Sequence, residues 1–288
     1  MPNLKDLRAR IKSIKNTQQT TRAMKMVSVA KLRKAQDAIV QLRPYAQKLR
    51  ELMTNLSASV ADGFSSPYAE PREGKKLLAV VITSNKGLCG AFNSGVLKLA
   101  HTRLQEEFAG WDIQVIGVGR KAAEFMSKRG YTLALPGNTD LFTGLNFNRV
   151  SEVAEFAMSG FLKGDYDRVE IFYNEFKNVA VQNRISEQFL PIRLDVANTG
   201  KAATTDYILE PGRDEILLEL IPKILKIQFY RAVLESNAGE HGARMVAMDK
   251  ATENAEELLK VLQLNMNKAR QAAITNEILE IVAGANAL

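Results

Sequence analysis

The chain has 288 residues, 46% hydrophobic and 25% charged, with a formal net charge of +7, and this ordinary soluble composition excludes no fold. Its one cysteine, Cys89, excludes an internal disulfide bond, and one cysteine with two histidines excludes a closed zinc site of those residues. No apolar run approaches the roughly 18 residues that a bilayer-spanning helix needs, and the first residues form neither a hydrophobic leader nor an amphipathic presequence. We therefore expect a cytosolic protein without direct membrane insertion.

Residues 1–58 are predicted to form one long helix. Their apolar side chains recur in steps of three and four from Leu4 to Ile14 and again from Leu32 to Leu56, which is the seam of a coiled coil. In between, the seam is polar at Gln18, Thr21, Lys25 and Ser28. At the rise of an α-helix the segment would be about 85 Å long, which is typical of a shaft and not of a core helix.

The amino-terminal helix is strongly basic. Residues 1–50 hold 13 Lys and Arg against Asp6 and Asp37, whereas residues 209–288 carry 9 basic and 12 acidic groups. The pattern leaves open an acidic protein partner or simple complementation between the two segments. Nucleic-acid binding is disfavoured, because Tyr45 is the only aromatic residue among the first 60 and bases would find no stacking platform.

Residues 76–195 are predicted to form a Rossmann-like α/β domain, because short apolar runs alternate with helical segments. The predicted strands cover 77–83, 113–118, 131–135, 168–176 and 179–192, and the predicted helices cover 95–108, 121–128 and 149–162. The last two strands are expected to pair antiparallel through a tight turn near Lys177 and Asn178.

Two glycine clusters in this domain are incomplete matches to nucleotide-binding motifs. Gly117, Gly119 and Ala122 fit G-x-G-x-x-A with Asp140 about twenty residues later, but they follow the second strand and not the first. Residues 84–90 lack the order of a phosphate loop and are predicted to form a tight strand-to-helix turn with Cys89 as a buried side chain. A dinucleotide site in this domain stays open as an alternative.

Residues 209–288 are predicted to form a second, longer helix. Its seam turns polar between residues 237 and 244, as the first seam does at residues 18–28. Matching the two polar stretches predicts an antiparallel pair in which facing residue numbers add to about 265. Gly239 and Gly242, each unfavourable by about 1 kcal/mol in a helix interior, predict a close approach by the neighbouring helix there.

On this register residues 265–288, here called the tip, extend about 36 Å beyond the first helix. The tip is apolar on nearly every side, at Met266, Ala269, Ala272, Ala273, Ile274, Ile278, Leu279, Ile281, Val282 and Leu288. An apolar helix of this length in water is an aggregation site, so the tip requires a surrounding protein surface.

Four separated blocks of sequence resemble the gamma subunit of F-type ATP synthases, and the likeness covers almost the whole chain. The blocks read RIKSIKNT with AMKMVS within residues 10–28, KGLCG at 86–90, EHGARMVAM at 240–248, and NKARQ with ITNEILEIVAGA within 267–285. The resemblance implies the rotor subunit in the central stalk of a proton-translocating ATP synthase. Its fold would be a long antiparallel two-helix coiled coil plus a central α/β foot, with domains at 1–58, 76–195 and 209–288.

The resemblance also implies partners and contact residues. The helix pair would turn inside a ring of three alpha and three beta subunits, and the foot would bind the epsilon subunit and the membrane ring of c subunits. Met24 would lie near the moving segment of a beta subunit, and Glu210 would face the c ring. Polar contacts with the catalytic head are implied for Arg244, Gln271, Thr275 and Glu280. Leu209 stands where some relatives carry tyrosine.

In this interpretation the chain is a non-catalytic subunit that couples rotation of the c ring to conformational changes in the catalytic beta subunits. It would need neither cofactor nor metal, and it would lie at the cytoplasmic face of the bacterial inner membrane as a peripheral part of the complex. Two alternatives remain: an NAD-dependent oxidoreductase that uses the central domain, and a basic coiled-coil scaffold.

Overall fold

The computed structural model describes residues 4–58, 66–135, 141–192 and 212–286. In chain order the elements are α1 (Leu4–Ala58), β1 (Lys76–Ile82), α2 (Phe92–Glu106), β2 (Asp112–Val118), α3 (Arg120–Ser127), β3 (Thr132–Leu133), α4 (Phe147–Lys163), β4 (Arg168–Phe176), β5 (Gln182–Leu190) and α5 (Arg213–Asn286). The expected fold class, two long terminal helices and a central α/β domain, is confirmed. Within the described ranges no helix is both long and apolar enough to cross a membrane.

The chain divides into two compact units. One unit comprises the residues up to Val29 together with those from Arg244 onward, and the other comprises Ala30–Ala243. The helices α1 and α5 each contribute a segment to both units.

The second unit is built on a five-stranded sheet of order β3-β2-β1-β4-β5. The strand β1 pairs parallel with both β2 and β4, β2 pairs parallel with β3, and β5 joins antiparallel to β4. The antiparallel pairing predicted for the final two strands is confirmed. Parallel strands joined by helices are covered on both faces, which is why β1 reads as a continuous apolar run.

Alternate residues of β1 enter two separate cores. Leu78, Val80 and Ile82 pack with side chains of α4 and α5, whereas Leu77, Ala79 and Val81 pack with those of α2 and α3. The α5 contribution to the first core includes Ile221, Leu225, Phe229, Ala232 and Val233. The start of the long helix is therefore part of the foot's hydrophobic core, which sequence periodicity alone did not indicate.

The hairpin between β4 and β5 has a longer loop than predicted. The strand expected over 179–192 begins only at Gln182 and ends at Leu190. The reason is Asn178, whose side-chain Oδ1 accepts hydrogen bonds from the backbone N–H groups of Ala180 and Val181 at 3.0 and 2.8 Å. An Asn that binds its own following backbone in this way competes with strand pairing and holds a turn.

In the first unit α1 and α5 run antiparallel. The hydroxyls of Thr21 and Thr252 are 2.7 Å apart, and Lys25 Nζ donates to Asp249 Oδ1. Residue numbers of these facing pairs add to 273 and 274, so the predicted value of about 265 was wrong by about two helical turns. Thr21 and Lys25 of the α1 seam thus face polar residues at 252 and 249, and not the polar stretch at 237–244.

The glycines of α5 explain this error. A Cβ on Gly239 would lie 3.2 Å from Gln182 Cγ, and a Cβ on Gly242 would lie 3.1 Å from the carbonyl oxygen of Val179. The close approach that these glycines permit is real, but the neighbour is the β4–β5 hairpin and not the other helix.

Candidate functional site

A polar layer surrounds the first predicted contact residue, Met24. The side chain of Met24 is half-buried, and its carbonyl oxygen accepts a hydrogen bond from Ser28 Oγ at 2.8 Å. Next to it Lys25 pairs with Asp249 across the two helices, with 37% and 45% of their side chains exposed. The structure therefore places Met24 beside an interhelical ion pair that the predicted register had missed.

Outward from this layer α1 presents apolar side chains to solvent. Met26 and Val27 are 66% and 56% exposed. They stand among basic residues of the same helix, including Arg22 and Lys31, which are also exposed. This surface combines positive charge with uncovered apolar area, and both features suit a protein partner that carries acidic and apolar groups.

Arg244 differs from the other predicted contact residues because it is buried. Only 8% of the residue is exposed, and it is one of the few charged residues that the described chain covers so fully. A buried charge is tolerated when the surrounding polar groups solvate it. Arg244 can therefore touch another subunit only through the small part that remains open.

The tip carries three predicted contact residues on two different sides. At 100° per residue Gln271 and Thr275 lie on one face of α5, whereas Glu280 lies about 180° from Gln271. All three side chains are exposed, and Thr275 Oγ1 donates to the carbonyl oxygen of Gln271 at 3.0 Å. The structure brings Gln271 and Thr275 together but does not bring Glu280 to them.

Large apolar side chains flank Gln271 and Thr275. They occupy an arc of roughly 160° around the helix, here called the apolar arc. Its members are Ile274 at 49% exposed, Ile278 at 55%, Leu279 at 59%, Ile281 at 71% and Val282 at 50%. The large exposed apolar residues therefore cover about half of the helix circumference, and smaller or half-buried apolar residues lie on the remaining sides, as predicted.

The side of the tip that faces away from the arc continues the seam with α1. Met266, Ala269 and Ala273 are half-buried there, and Glu280 follows on the same line beyond the described start of α1 at Leu4. Two further predicted positions, Glu210 and its neighbour Leu209, lie outside the described residues, as does Asp140 of the dinucleotide-like motif.

The G-x-G-x-x-A segment is occupied by the chain itself. The backbone N–H groups at the start of α3 donate to the loop after β1: Arg120 to Asn85 Oδ1 at 3.0 Å, Lys121 to the Ser84 carbonyl at 3.3 Å, and Ala122 to Thr83 Oγ1 at 2.8 Å. A phosphate at a helix amino terminus needs these same donors. The structure therefore gives no support to a dinucleotide site here.

Glycine is required in this segment for packing. A Cβ on Gly119 would lie 2.2 Å from the Thr83 carbonyl oxygen, and the residue has a φ of 96°. A Cβ on Gly117 would lie 2.7 Å from the backbone nitrogen of Ala123. Tight contact between strand and helix explains both glycines of the motif without any ligand.

The KGLCG turn buries its cysteine and exposes its leucine. Cys89 is 1% exposed, and its Sγ lies 3.2 Å from Asn93 Nδ2. The prediction of a buried Cys89 is confirmed. Leu88 has a φ of 65°, in the left-handed region that a leucine rarely adopts, and is 66% exposed. The residue pattern gave no signal of that uncovered side chain.

Among the described residues no group of three or more His, Cys, Asp or Glu side chains could hold a metal ion. His101 lies between aromatic rings, with centroids 6.2 Å from those of both Phe125 and Tyr131. Burial, together with the positive charge of Arg129, lowers the pKa of this imidazole. The arrangement is that of a packed surface histidine, and its Nδ1 lies 3.4 Å from the hydroxyl of Tyr131.

These features define a class of protein: one that combines an antiparallel pair of long helices, carrying exposed apolar and charged side chains, with an α/β domain. A family model described as ATP synthase matches residues 3–288. The ATP synthase gamma chain of Cytophaga hutchinsonii is 53% identical over 294 residues, covering 100% of this chain and 99% of the relative. That of Flavobacterium psychrophilum is 51% identical over 289 residues, with the same coverage.

Solved structures show the same fold. A chain in the Euglena gracilis mitochondrial ATP synthase, OSCP/F1/c-ring, rotational state 3, matches with a TM-score of 0.69 and 25% identity, covering 99% of this chain and 94% of that one. The chain therefore belongs to the gamma-chain family of ATP synthases. The function expected from the resemblance, the rotor subunit of the central stalk, is confirmed.

Proposed function

We propose that α1 and α5 turn inside a ring of three alpha and three beta subunits, and that this ring surrounds and contacts the tip. The observation that carries this proposal is the apolar arc, a row of large side chains that are 49–71% exposed near the end of a continuous helix. Burying such side chains is favourable by about 25 cal/mol per Å², and a surrounding partner surface would supply that burial.

Rotation would change the catalytic sites because the shaft lacks threefold symmetry. Three chemically identical beta subunits meet different sides of one helix pair, so each is biased differently at each angle, and coupling needs only this differential contact. Moving a site between 1:99 and 99:1 populations takes roughly 5.5 kcal/mol. We assign the contacts to Met24, Arg244, Gln271, Thr275 and Glu280, with Arg244 contributing through its small exposed part.

The foot would bind the epsilon subunit and the c ring. The Euglena structure that matches this chain is described as an assembly containing F1 and the c ring, and this supports the same partners here. Glu210 is our proposed c-ring contact. We further propose the domain limits 1–58, 76–195 and 209–288 for the first helix, the foot, and the second helix with its tip.

We further propose that the chain itself is non-catalytic, because the role proposed for it is mechanical and leaves the chemistry to the beta subunits. Its place would be the cytoplasmic face of the bacterial inner membrane, as a peripheral part of the complex. Bacterial gamma chains that are about half identical over the full length support this placement.

Reconstitution tests the proposal most directly. The purified chain, mixed with alpha and beta subunits, should elute as one stable complex with ATPase activity, whereas a chain truncated after residue 276 should assemble less well. Addition of NAD to the isolated chain should leave its melting temperature unchanged. Failure of the full chain to bind alpha and beta subunits, or an NAD-dependent rise in melting temperature, would overturn the proposal.

A further inference from the structure

One stripe of α5 faces the β4–β5 hairpin along its length. The stripe consists of Gln228, Arg231, Glu235, Gly239 and Gly242, spaced three and four residues apart. This spacing keeps all five residues on one side of an α-helix over about 21 Å. We call the contact between this stripe and the hairpin the hairpin joint.

The first half of the hairpin joint is polar. Glu187 of β5 binds two groups at once: its Oε1 accepts from Gln228 Nε2 of α5 at 2.6 Å, and its Oε2 accepts from Tyr173 Oη of β4 at 3.0 Å. Tyr173 is 1% exposed. Hydrogen bonds to a carboxylate are shorter and stronger than neutral ones, so Glu187 ties the helix to both strands of the hairpin.

One turn further along α5, Arg231 Nε lies 3.6 Å from Glu235 Oε1. Burial opposes the charged form of Arg231, but the negative charge of Glu235, the hydrogen-bonded Tyr173 and the negative charge of Glu187 together raise the pKa of the guanidinium. The charges around Glu235 come from α5, from both strands and from α1, namely Arg231, Glu175, Glu187 and Arg43. The charged groups of the joint thus depend on each other across several elements.

The second half of the hairpin joint is steric. A Cβ on Gly239 would lie 3.2 Å from Gln182 Cγ, and a Cβ on Gly242 would lie 3.1 Å from the Val179 carbonyl oxygen, so the hairpin leaves little room for a larger side chain at either position. Each neighbour of these glycines on α5 carries a Cβ atom. Turning α5 about its own axis would therefore drive a side chain into the hairpin backbone.

We propose that the hairpin joint prevents α5 from turning about its axis relative to the foot, and so transmits torque from the foot to α5. Apolar packing around Phe229 holds one face of the helix on the sheet, and close packing of these side chains resists axial turning through their shape. Hydrogen bonds have a fixed direction, and the close contact of the hairpin with Gly239 and Gly242 leaves little room for another side chain. Both features therefore also resist that turning. Glu187 and Gln228 are then positioning residues for the coupled reaction, and this inference rests on the proposed function.

The test compares Glu187→Ala, Glu187→Gln and a control, Lys223→Ala, in the whole membrane-bound complex. Lys223 pairs with Glu219 on the exposed side of α5, with 58% and 77% of the side chains exposed. The measured quantities are ATP hydrolysis by the detached head, protons pumped per ATP hydrolysed by the whole complex, and thermal unfolding of the isolated chain.

Glu187→Ala should lower the pumped protons per ATP about threefold or more, because slip rises with the Boltzmann factor of the lost hydrogen bonds. Hydrolysis by the detached head should stay at the wild-type level, since the head alone places no torque on the foot. Glu187→Gln keeps an acceptor and should recover most of the ratio, and Lys223→Ala should leave it unchanged.

An unchanged ratio for Glu187→Ala would overturn the inference, and so would a parallel fall in head hydrolysis, which would indicate a merely structural role. If Glu187→Ala does not fold, Gln228→Met removes the same link to α5 with a side chain of similar shape and is judged by the same criteria. If the wild-type chain itself supports no proton pumping coupled to ATP hydrolysis, that result contradicts the proposed function of the chain and not the role of the hairpin joint.

Discussion

Replacing Ile278 with Asn should weaken binding of the chain to a complex of alpha and beta subunits by about 30-fold. Ile278 lies near the centre of the apolar arc and is 55% exposed. Full burial of such a side chain contributes about 1.5–3 kcal/mol, so covering the exposed half contributes roughly 1 kcal/mol. An Asn amide buried without an assigned partner costs about 1 kcal/mol more. The total of about 2 kcal/mol corresponds to the stated factor at 1.4 kcal/mol per tenfold change.

The assay is titration of the labelled chain into the alpha–beta complex, with Asn276→Ser as the matched control. Asn276 is exposed on the same turn but lies outside the apolar arc. The melting temperature of the isolated chain should not change in either variant, because both side chains project into solvent. Unaltered affinity for Ile278→Asn would refute burial of the arc, and equal losses in both variants would show that the helix as a whole, and not this side, is recognised.

Three further predictions concern the foot and the tip. Gly119→Ala should destabilise the foot by about 3 kcal/mol or more in chemical unfolding, because the new Cβ would lie 2.2 Å from the Thr83 carbonyl oxygen. The positive φ of this residue alone costs a side chain about 1–2 kcal/mol. A variant as stable as the wild type would contradict the packing described. Burial raises the pKa of Glu235 above its ordinary 4.5, so the folded chain binds this proton more tightly than the unfolded chain. As pH falls from neutral towards that ordinary value, the wild type should gain stability relative to Glu235→Gln, and a constant difference across the range would contradict it. A chain truncated after residue 276 should keep the thermal transition of the foot, and loss of that transition would place the tip within the folding unit of the sheet.

The sheet was predictable because local patterns and burial point the same way in it. The strand β1 is an apolar run between polar residues, and its burial on both faces follows from parallel pairing with β2 and β4. The loop at Asn178 shortened a predicted strand because one side chain competed with the ladder. Such local competition changes element ends without changing the fold.

The register of the helix pair could not be predicted from polarity alone. Matching polar stretches assumed that the two helices satisfy each other, whereas Gly239 and Gly242 of α5 face the β4–β5 hairpin. The helix α5 packs against both α1 and the β4–β5 hairpin. The sequence pattern alone does not indicate which of these two partners a given residue contacts. The glycines carried the signal of a close approach but not the identity of the neighbour.

Contact chemistry differs along α5 in a way that suits a rotor. At the hairpin joint the contacts are directional, from the bidentate Glu187 to the gap beside Gly242, and they fix one angle of the helix against the foot. On the apolar arc the exposed groups are mostly hydrocarbon, with Gln271 and Thr275 as the polar exceptions, and the Thr275 hydroxyl is already bound to its own backbone. Apolar contact with a surrounding sleeve is favourable at many angles and requires few bonds to break at each step. A shaft needs both properties, resistance to turning where torque enters and low resistance where the shaft turns against its partners, and this sequence places them at separate positions on a single helix.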